Sequence, residues 1–209
     1  AYVPGKPLDE FLQEKGINKC IKLDANENPY GFSKSVITAL TNQPFNRYPD
    51  GGCNILKNQL AAGLKLDPEN ILISGGSNQI VDFVLRGFLK EGNEVITAEK
   101  TFSLYRLYTA KNGGTLVQSP LNNGRFDLNE IKNKITNKTD VVFICNPNNP
   151  TGTVLKREQI EDFLVSIDSK ILVVVDEAYV EFCEEYSTVV DLIAKFPNLL
   201  VTRTFSKIF

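Results

Sequence analysis

The sequence predicts an α/β fold in which a doubly wound, mostly parallel sheet carries helices on both faces. From residue 71 onward, short apolar or β-branched runs alternate with segments of helical periodicity, which is typical of successive βα units. The run at 170–176, KILVVVD, is continuously hydrophobic, as expected of a strand buried on both faces. A chain of 209 residues with 42% apolar content is long enough to form one sizeable core.

Six segments have the composition of strands, and segments with helical periodicity separate several of them. The predicted strands are 71–74, 94–98, 115–119, 140–145, 170–176 and 198–204. Helices are predicted at 33–41, 78–90 and 156–167.

The N-terminal residues differ in character from the rest of the chain. Residues 1–30 are rich in Pro, Gly and Asn and lack a clean period, which predicts an extended arm, or part of a small domain, beside a large domain over 31–209. The sequence has no initial methionine and ends within a motif, so we expect it to lack its true start and a C-terminal small domain.

Composition excludes several classes of function. The 23 basic and 25 acidic residues are interspersed, so nucleic acid is a poor candidate partner. Neither a membrane-spanning run nor a signal segment is found, which predicts a cytoplasmic protein. The absence of histidine excludes Ser-His-Asp and Cys-His nucleophiles from this sequence. The four cysteines are widely spaced, which indicates reduced structural thiols and neither a disulfide framework nor a metal site: Cys20, Cys53, Cys145 and Cys183.

Polar clusters follow five of the predicted strands. In a doubly wound sheet such clusters meet at the carboxyl edge, where ligands bind. The segment SGGSNQ, residues 74–79, opens a helix with free N–H groups and could bind a phosphate, or it could be an ordinary glycine turn with a serine cap. It matches neither the GxGxxG nor the GxxxxGK[ST] pattern, which disfavours dinucleotides and nucleoside triphosphates.

Three further residues carry candidate chemistry. Asp176 ends a buried strand and therefore needs a cation, either a structural arginine or helix N-terminus, or the protonated ring nitrogen of a pyridine cofactor that Tyr179 could also contact. Asn149, in NPNNPTG, is either part of a common turn or a donor to a phenolate oxygen. Lys207 is either an exposed cation or an amine that forms a Schiff base.

The motifs NPNNPTG, VVVDEAY and RTFSK, in this order, resemble those of the fold type I pyridoxal-phosphate aminotransferases. The segments YVPGKP, LDANENPYG, RYPDG and TFSLY are most similar to the histidinol-phosphate aminotransferase branch of that family. The resemblance extends over essentially the whole chain. It implies amino transfer between L-glutamate and imidazole-acetol phosphate, with pyridoxal 5'-phosphate as the cofactor.

The resemblance also implies roles for individual residues. Lys207 forms the Schiff base and moves the proton, Asp176 pairs with the pyridine nitrogen, and Asn149 and Tyr179 bind the phenolic oxygen. The residues implied to surround the cofactor phosphate are Gly76, Ser77, Asn78, Thr204 and Ser206.

Further implied positions lie at the edges of the site. Tyr48 reaches the cofactor of a neighbouring subunit, which implies a homodimer, and Tyr2 lies near the substrate. Phe102 stands where family members commonly have a ring-stacking tyrosine, so stacking is kept and a hydroxyl is lost. The family's phosphate- and substrate-binding arginines beyond the lysine have no counterpart here, so the chain as printed is expected not to complete the site.

Alternatives remain open at this stage. A phosphothreonine decarboxylase or an aromatic-type aminotransferase would share the fold and cofactor. A non-catalytic protein that binds the cofactor is a second possibility, and a plain nucleotide-binding α/β domain is the last.

Overall fold

A five-stranded, entirely parallel sheet forms the centre of the computed structural model, which describes residues 5–183 and 187–209. The described strands are β1 (Glu94–Ala98), β2 (Thr115–Ser119), β3 (Leu121–Asn122), β4 (Arg125–Phe126), β5 (Thr139–Cys145), β6 (Leu172–Asp176) and β7 (Leu199–Thr202). The sheet order is β2-β1-β5-β6-β7, while β3 and β4 form a separate antiparallel pair. Five of the six predicted strands are thereby confirmed, with small shifts at their ends.

Seven α-helices are described. They are α1 (Leu8–Lys15), α2 (Lys34–Thr41), α3 (Asn54–Leu64), α4 (Ser77–Phe88), α5 (Leu104–Lys111), α6 (Leu128–Asn133) and α7 (Arg157–Val165). Single 3-10 turns occur at Pro68–Asn70, Val180–Phe182 and Val190–Ala194. The predicted helices at 33–41, 78–90 and 156–167 correspond to α2, α4 and α7. None of the described helices is long and apolar enough to cross a membrane.

The strand order makes the fold doubly wound. The chain runs from β1 outward to β2 and then returns to β5, β6 and β7 on the other side of β1. Because parallel crossovers are right-handed, this reversal places α5 and α7 on opposite faces of the sheet. The contacts agree, since α4 packs on α5 and α6 packs on α7. The reversal leaves a switch point between β1 and β5, which is where doubly wound sheets bind ligands.

The core lies on both faces of β5 and β6. Val141–Cys145 and all of β6 are buried, because their apolar residues are covered by helices on each side of the sheet. Burial of each valine or isoleucine side chain contributes about 1.5–3 kcal/mol. Val81, Val84 and Leu85 of α4 form the buried stripe that faces this core. A rigid core therefore fixes the strand ends.

Two predictions about local structure are wrong. Residues 71–74 pair with no strand in the described part of the chain, and Leu72 is 64% exposed. Their β-branched composition alone does not supply a neighbouring strand. Residues 8–15 form α1, so the arm is not extended throughout. Pro7 precedes this helix, and Gly16 ends it with a φ of 63°. The division at residues 30 and 31 stays a prediction.

The β3–β4 hairpin was not predicted. Its turn residues, Asn123 and Gly124, have φ values of 49° and 78°. An Asn-Gly pair with two positive φ angles is the most common two-residue hairpin turn. The signal was therefore present in LNNGRF, although the flanking strands are only two residues long.

Candidate active site

Loops that follow β1 and β5 are tied together at the switch point. The Thr101 hydroxyl donates to the side-chain oxygen of Asn148 at 2.8 Å, and the Asn148 amide donates to the Lys100 carbonyl at 3.0 Å. The same amide donates to the Thr151 hydroxyl at 2.8 Å. Since Asn148 is buried and its hydrogen bonds are satisfied, NPNNPTG is held against the end of β1.

Asp176 is a buried acid whose hydrogen-bond donors among the described residues are all neutral. It is 3% exposed. One carboxylate oxygen, Oδ1, accepts from the Thr202 hydroxyl at 2.9 Å and from the Ala178 backbone N–H at 3.2 Å. The other, Oδ2, accepts from the Tyr105 hydroxyl at 2.7 Å. None of the ion pairs between described residues includes Asp176. The alternative in which a structural arginine pairs with Asp176 is therefore not supported by the described residues.

Burial governs the charge of this acid. Desolvation raises the pKa of Asp176 above its usual value, and the hydrogen bonds from Tyr105, Thr202 and Ala178 oppose that rise. The charge of Lys207 lowers the pKa further, from outside ion-pair distance. Because Asp176 forms no ion pair with a described residue, a cationic group brought next to it would be stabilised by the charge of the acid.

Tyr179 and Asn149 lie together, as the predicted pair requires. The Asn149 amide donates to the Tyr179 hydroxyl oxygen at 3.4 Å, and the Asn26 amide donates to the same oxygen at 3.0 Å. A hydroxyl has two acceptor sites and one hydrogen. With both acceptor sites facing amides, the hydrogen of Tyr179 is left for a third group, such as the oxygen of a ligand.

Lys207 lies beside Tyr179, half-buried at the end of the chain that follows β7. Its ammonium nitrogen is 5.5 Å from the centre of the Tyr179 ring. A cavity of about 530 Å³ lies between this lysine and the arm and is lined by Asn26, Tyr30, Tyr179 and Lys207 among others. A neighbouring cavity of about 640 Å³ shares Asn26 and Tyr179 and includes Asn149. Lys207 therefore faces a hollow with room for a small molecule.

The residues at the start of α4 form an anion-binding arrangement. Gly76 has a φ of 96°, which favours glycine, and precedes the helix without a side-chain cap. In the described part of the chain, no hydrogen bond uses the N–H groups of Gly76, Ser77 or Asn78. Free N–H groups at a helix N-terminus favour a phosphate.

Thr204 and Ser206, the other residues predicted to surround the phosphate, form a pair of hydroxyls with oxygens 2.7 Å apart. Their contacts with each other are local, because the Ser206 N–H also donates to the Thr204 hydroxyl at 3.2 Å. No hydrogen bond between described residues joins this pair to the start of α4. The phosphate-binding set formed by both groups therefore stays a prediction.

Aromatic residues line the switch point. Tyr105 is fully buried and stacks on Phe143, with ring centres 4.5 Å apart and planes 9° apart. Phe102 packs edge-on against Tyr105, at 5.5 Å and 83°. Tyr48 is fully exposed, so within one chain it does not contribute to the site. Tyr2 lies outside the described residues.

Sequence reasoning missed three contributors to this arrangement: Asn26, Tyr105 and Thr202. Asn26 and Tyr105 lie in LDANENPYG and TFSLY, but neither was singled out. They contact Tyr179 and Asp176 across 153 and 71 residues of sequence. Thr202 directly follows an apolar run, and only its register opposite Asp176 gives it a role.

Glu177, next to Asp176, provides a test of charge burial without touching the candidate site. One of its oxygens accepts from the Val189 N–H at 2.6 Å, the other accepts from the Thr188 hydroxyl at 2.7 Å, and burial raises its pKa above 4.5. A raised folded-state pKa stabilises the fold below the unfolded pKa, and this contribution is lost as pH rises through the folded pKa. In Glu177→Gln, the free energy of unfolding is therefore expected to fall less steeply between pH 4 and neutral pH than in the wild type.

The measurement is urea unfolding over that pH range. Glu158→Gln, at an exposed position, is the matched control and should leave the pH dependence unchanged. An equally steep decline in Glu177→Gln would show that the buried glutamate is not its source.

One edge of the doubly wound sheet thus brings together a buried acid, a tyrosine–asparagine pair and a lysine. The model of the family described as aminotransferase class I and II matches residues 18–209, and the chain belongs to that family.

Relatives within the family include histidinol-phosphate aminotransferases. The enzyme of Caldicellulosiruptor saccharolyticus is 41% identical over 212 residues, and that of Bacillus cytotoxicus is 39% identical over 213. Both comparisons cover the whole of this chain, but 59% and 58% of the relatives, so the chain spans less than two thirds of their length.

A solved structure agrees closely with the fold. The histidinol-phosphate aminotransferase from Sinorhizobium meliloti, in complex with pyridoxal-5'-phosphate, superposes with a TM-score of 0.90 at 27% identity. The match covers 98% of this chain and 57% of that one.

Proposed function

We propose that this chain supplies the cofactor site of a pyridoxal-phosphate-dependent aminotransferase. Its reaction would transfer an amino group between L-glutamate and imidazole-acetol phosphate, giving L-histidinol phosphate and 2-oxoglutarate. The observation that carries the proposal is the buried Asp176, which among the described residues has three neutral donors and no ion pair, at the edge that also holds Tyr179 and Lys207. The names of the relatives support the choice of substrates.

The residues present fit this cofactor by chemistry. Its phosphate matches the free N–H groups of Gly76, Ser77 and Asn78. Its phenolic oxygen matches the Tyr179 hydroxyl, and its ring nitrogen matches Asp176. When bound, pyridoxal phosphate supplies an aldehyde that reacts with amines and a ring that accepts electrons.

Each residue then has a defined task. Asp176 would hold a proton on the ring nitrogen, because a buried carboxylate that forms no ion pair among the described residues favours a charged partner. Tyr179 would donate its hydrogen to the phenolic oxygen, since Asn26 and Asn149 occupy its acceptor sites. Lys207 would provide a primary amine that removes a proton from the substrate carbon and returns it at another position.

The test is a pair of half-reactions. The protein, produced from its complete gene and loaded with pyridoxal phosphate, is expected to form 2-oxoglutarate from L-glutamate. It should then convert imidazole-acetol phosphate to histidinol phosphate. Faster turnover of phenylpyruvate would favour an aromatic aminotransferase, and carbon dioxide from phosphothreonine a decarboxylase. Cofactor binding without either half-reaction would indicate a non-catalytic protein.

A homodimer is also proposed, supported by exposed apolar side chains in the N-terminal part of the chain, which includes Tyr48. Leu23 is 84% exposed, Tyr30 95% and Phe45 76%, and α2 buries none of its residues. Covering such a surface with a second copy would remove apolar area from water.

The free thiols of all four cysteines support a reducing compartment, and we propose the cytoplasm.

Mixing two inactive variants tests whether Tyr48 serves the neighbouring site. We expect Tyr48→Ala and Lys207→Ala each to lose most activity alone. Random exchange of subunits should restore about one quarter of wild-type activity, because half of the dimers are hybrids with one intact site. Continued inactivity after verified subunit exchange would argue against a shared site. Mixing Asp176→Asn with Lys207→Ala is the control: both residues belong to the site of one subunit, so this hybrid has no intact site and should stay inactive.

A further inference from the structure

Tyr105 has an arrangement that core packing alone does not require. Its side chain is fully buried, and its hydroxyl donates to Oδ2 of Asp176 at 2.7 Å. In the described part of the chain it is the only donor to that oxygen, while Thr202 and Ala178 both serve Oδ1. The carboxylate is thus held from two sides, by the β6–β7 edge and by α5.

We propose that Tyr105 is a positioning residue of the cofactor site, which fixes the orientation of Asp176 and stabilises its negative charge through a hydrogen bond to Oδ2. This inference rests on the proposed function, since Asp176 acts on the ring nitrogen of the cofactor. Tyr105 itself acts through Asp176.

The direction of the hydrogen bond follows from chemistry. An ionised carboxylate only accepts, so the phenol must donate. Burial and the neighbouring charge of Asp176 raise the pKa of Tyr105 well above its usual value, which keeps the phenol protonated. A hydrogen bond to a charged acceptor is stronger than one between neutral groups, and more so in a buried site.

The position of Tyr105 is rigid. Its ring stacks on Phe143 of the central strand β5, and Phe102 packs edge-on against it. Phe102 lies in the loop between β1 and α5, and Tyr105 lies in the first turn of α5. The same short segment therefore carries both a ring that could stack on the cofactor and a donor that orients Asp176.

Loss of the Tyr105 hydroxyl should raise the pKa of Asp176. The bond from Tyr105 is the largest of the interactions that lower the pKa of Asp176 against the effect of burial. Without it, the carboxylate becomes more basic. A proton shared between Asp176 and a ring nitrogen would then lie more on the acid, so the ring would lose positive charge.

The experiment compares Tyr105→Phe with Tyr108→Phe in the protein produced from its complete gene. Tyr108 lies on the same helix, is only partly buried and faces Lys111, so it is a matched loss of a phenol hydroxyl outside the site. Measurements are the dissociation constant of pyridoxal phosphate and the ¹⁵N chemical shift of cofactor labelled at the ring nitrogen.

We expect Tyr105→Phe to weaken cofactor binding on the order of 10- to 100-fold, the range for a hydrogen bond to a charged group. Its ring-nitrogen signal should move toward the unprotonated form. Tyr108→Phe should match the wild type in both. An unchanged ring-nitrogen signal in a folded, cofactor-loaded Tyr105→Phe would overturn the proposal and leave Tyr105 a packing residue.

A second variant covers the case in which Tyr105→Phe does not fold. Incorporating 3-fluorotyrosine at position 105 keeps the ring and makes the hydroxyl a stronger donor, so the ring-nitrogen signal should shift toward the protonated form; no shift would count against the proposal. A wild-type protein that binds no cofactor at all would instead refute the proposed function on which this inference rests.

Discussion

Replacing Lys207 with alanine is expected to abolish amino transfer, with a loss on the order of 10⁴- to 10⁶-fold, as when the central group of a covalent mechanism is removed. The lysine lines the cavity beside Tyr179, and its amine lies 5.5 Å from the centre of the Tyr179 ring. No other lysine in the described part of the chain lines this cavity. Its loss therefore leaves no lysine among the described residues that line this cavity.

Borohydride reduction followed by peptide mass spectrometry is the direct measurement. The wild-type protein should retain cofactor mass on the peptide that contains Lys207, and Lys207→Ala should retain none. Lys138→Ala is the control and should behave as the wild type, because this exposed lysine directly precedes β5, at the opposite edge of the sheet from Lys207. Cofactor found covalently bound at another lysine would refute the assignment.

Replacing Asp176 with asparagine is expected to lower activity and, at neutral pH, to raise the stability of the cofactor-free protein. The change keeps the shape of the side chain but removes the charge, so the ring nitrogen would lose its ionic partner. We expect kcat to fall on the order of 10²- to 10³-fold, the cost of removing one preorganised electrostatic group. Glutamate half-reaction rates and cofactor affinity measure this loss.

The same variant should be more stable without cofactor at pH 7 to 8. Because the pKa of Asp176 is raised in the folded state, its contribution to stability is present below the unfolded pKa and is lost as pH rises through the folded pKa. At neutral pH the ionised form is therefore a cost, which asparagine removes. Thermal unfolding of the cofactor-free proteins checks this, with Asp162→Asn as the exposed control. Lower stability of Asp176→Asn would show that the donors depend on the charge.

Elements with strong local signals were predictable. The continuous apolar runs of β5 and β6 are typical of buried strands. The apolar residues of α4 and α7 recur at helical spacing. The local sequence alone therefore identified these four elements. Residues 71–74 have the same strand composition but no strand beside them within the described residues. The helix α1 is short and buries none of its residues, so flanking Pro7 and Gly16 mark it better than periodicity does.

The candidate site divides in a similar way. Asn149, Tyr179 and Lys207 lie in compact motifs directly after strands, and their positions at one edge follow from parallel order. Thr202 and Tyr105 could not be assigned to Asp176 from the sequence, because they lie 26 and 71 residues away from it.

By itself, the sequence determined which segments become strands of a parallel sheet and which polar residues stand at their carboxyl ends, because burial and periodicity act within a few residues. Only the tertiary structure decided that β1 and β7 lie on opposite sides of β5 and β6, with Tyr105 and Thr202 reaching Asp176 from the two directions. Strand order depends on contacts between distant segments, and local composition does not specify those partners.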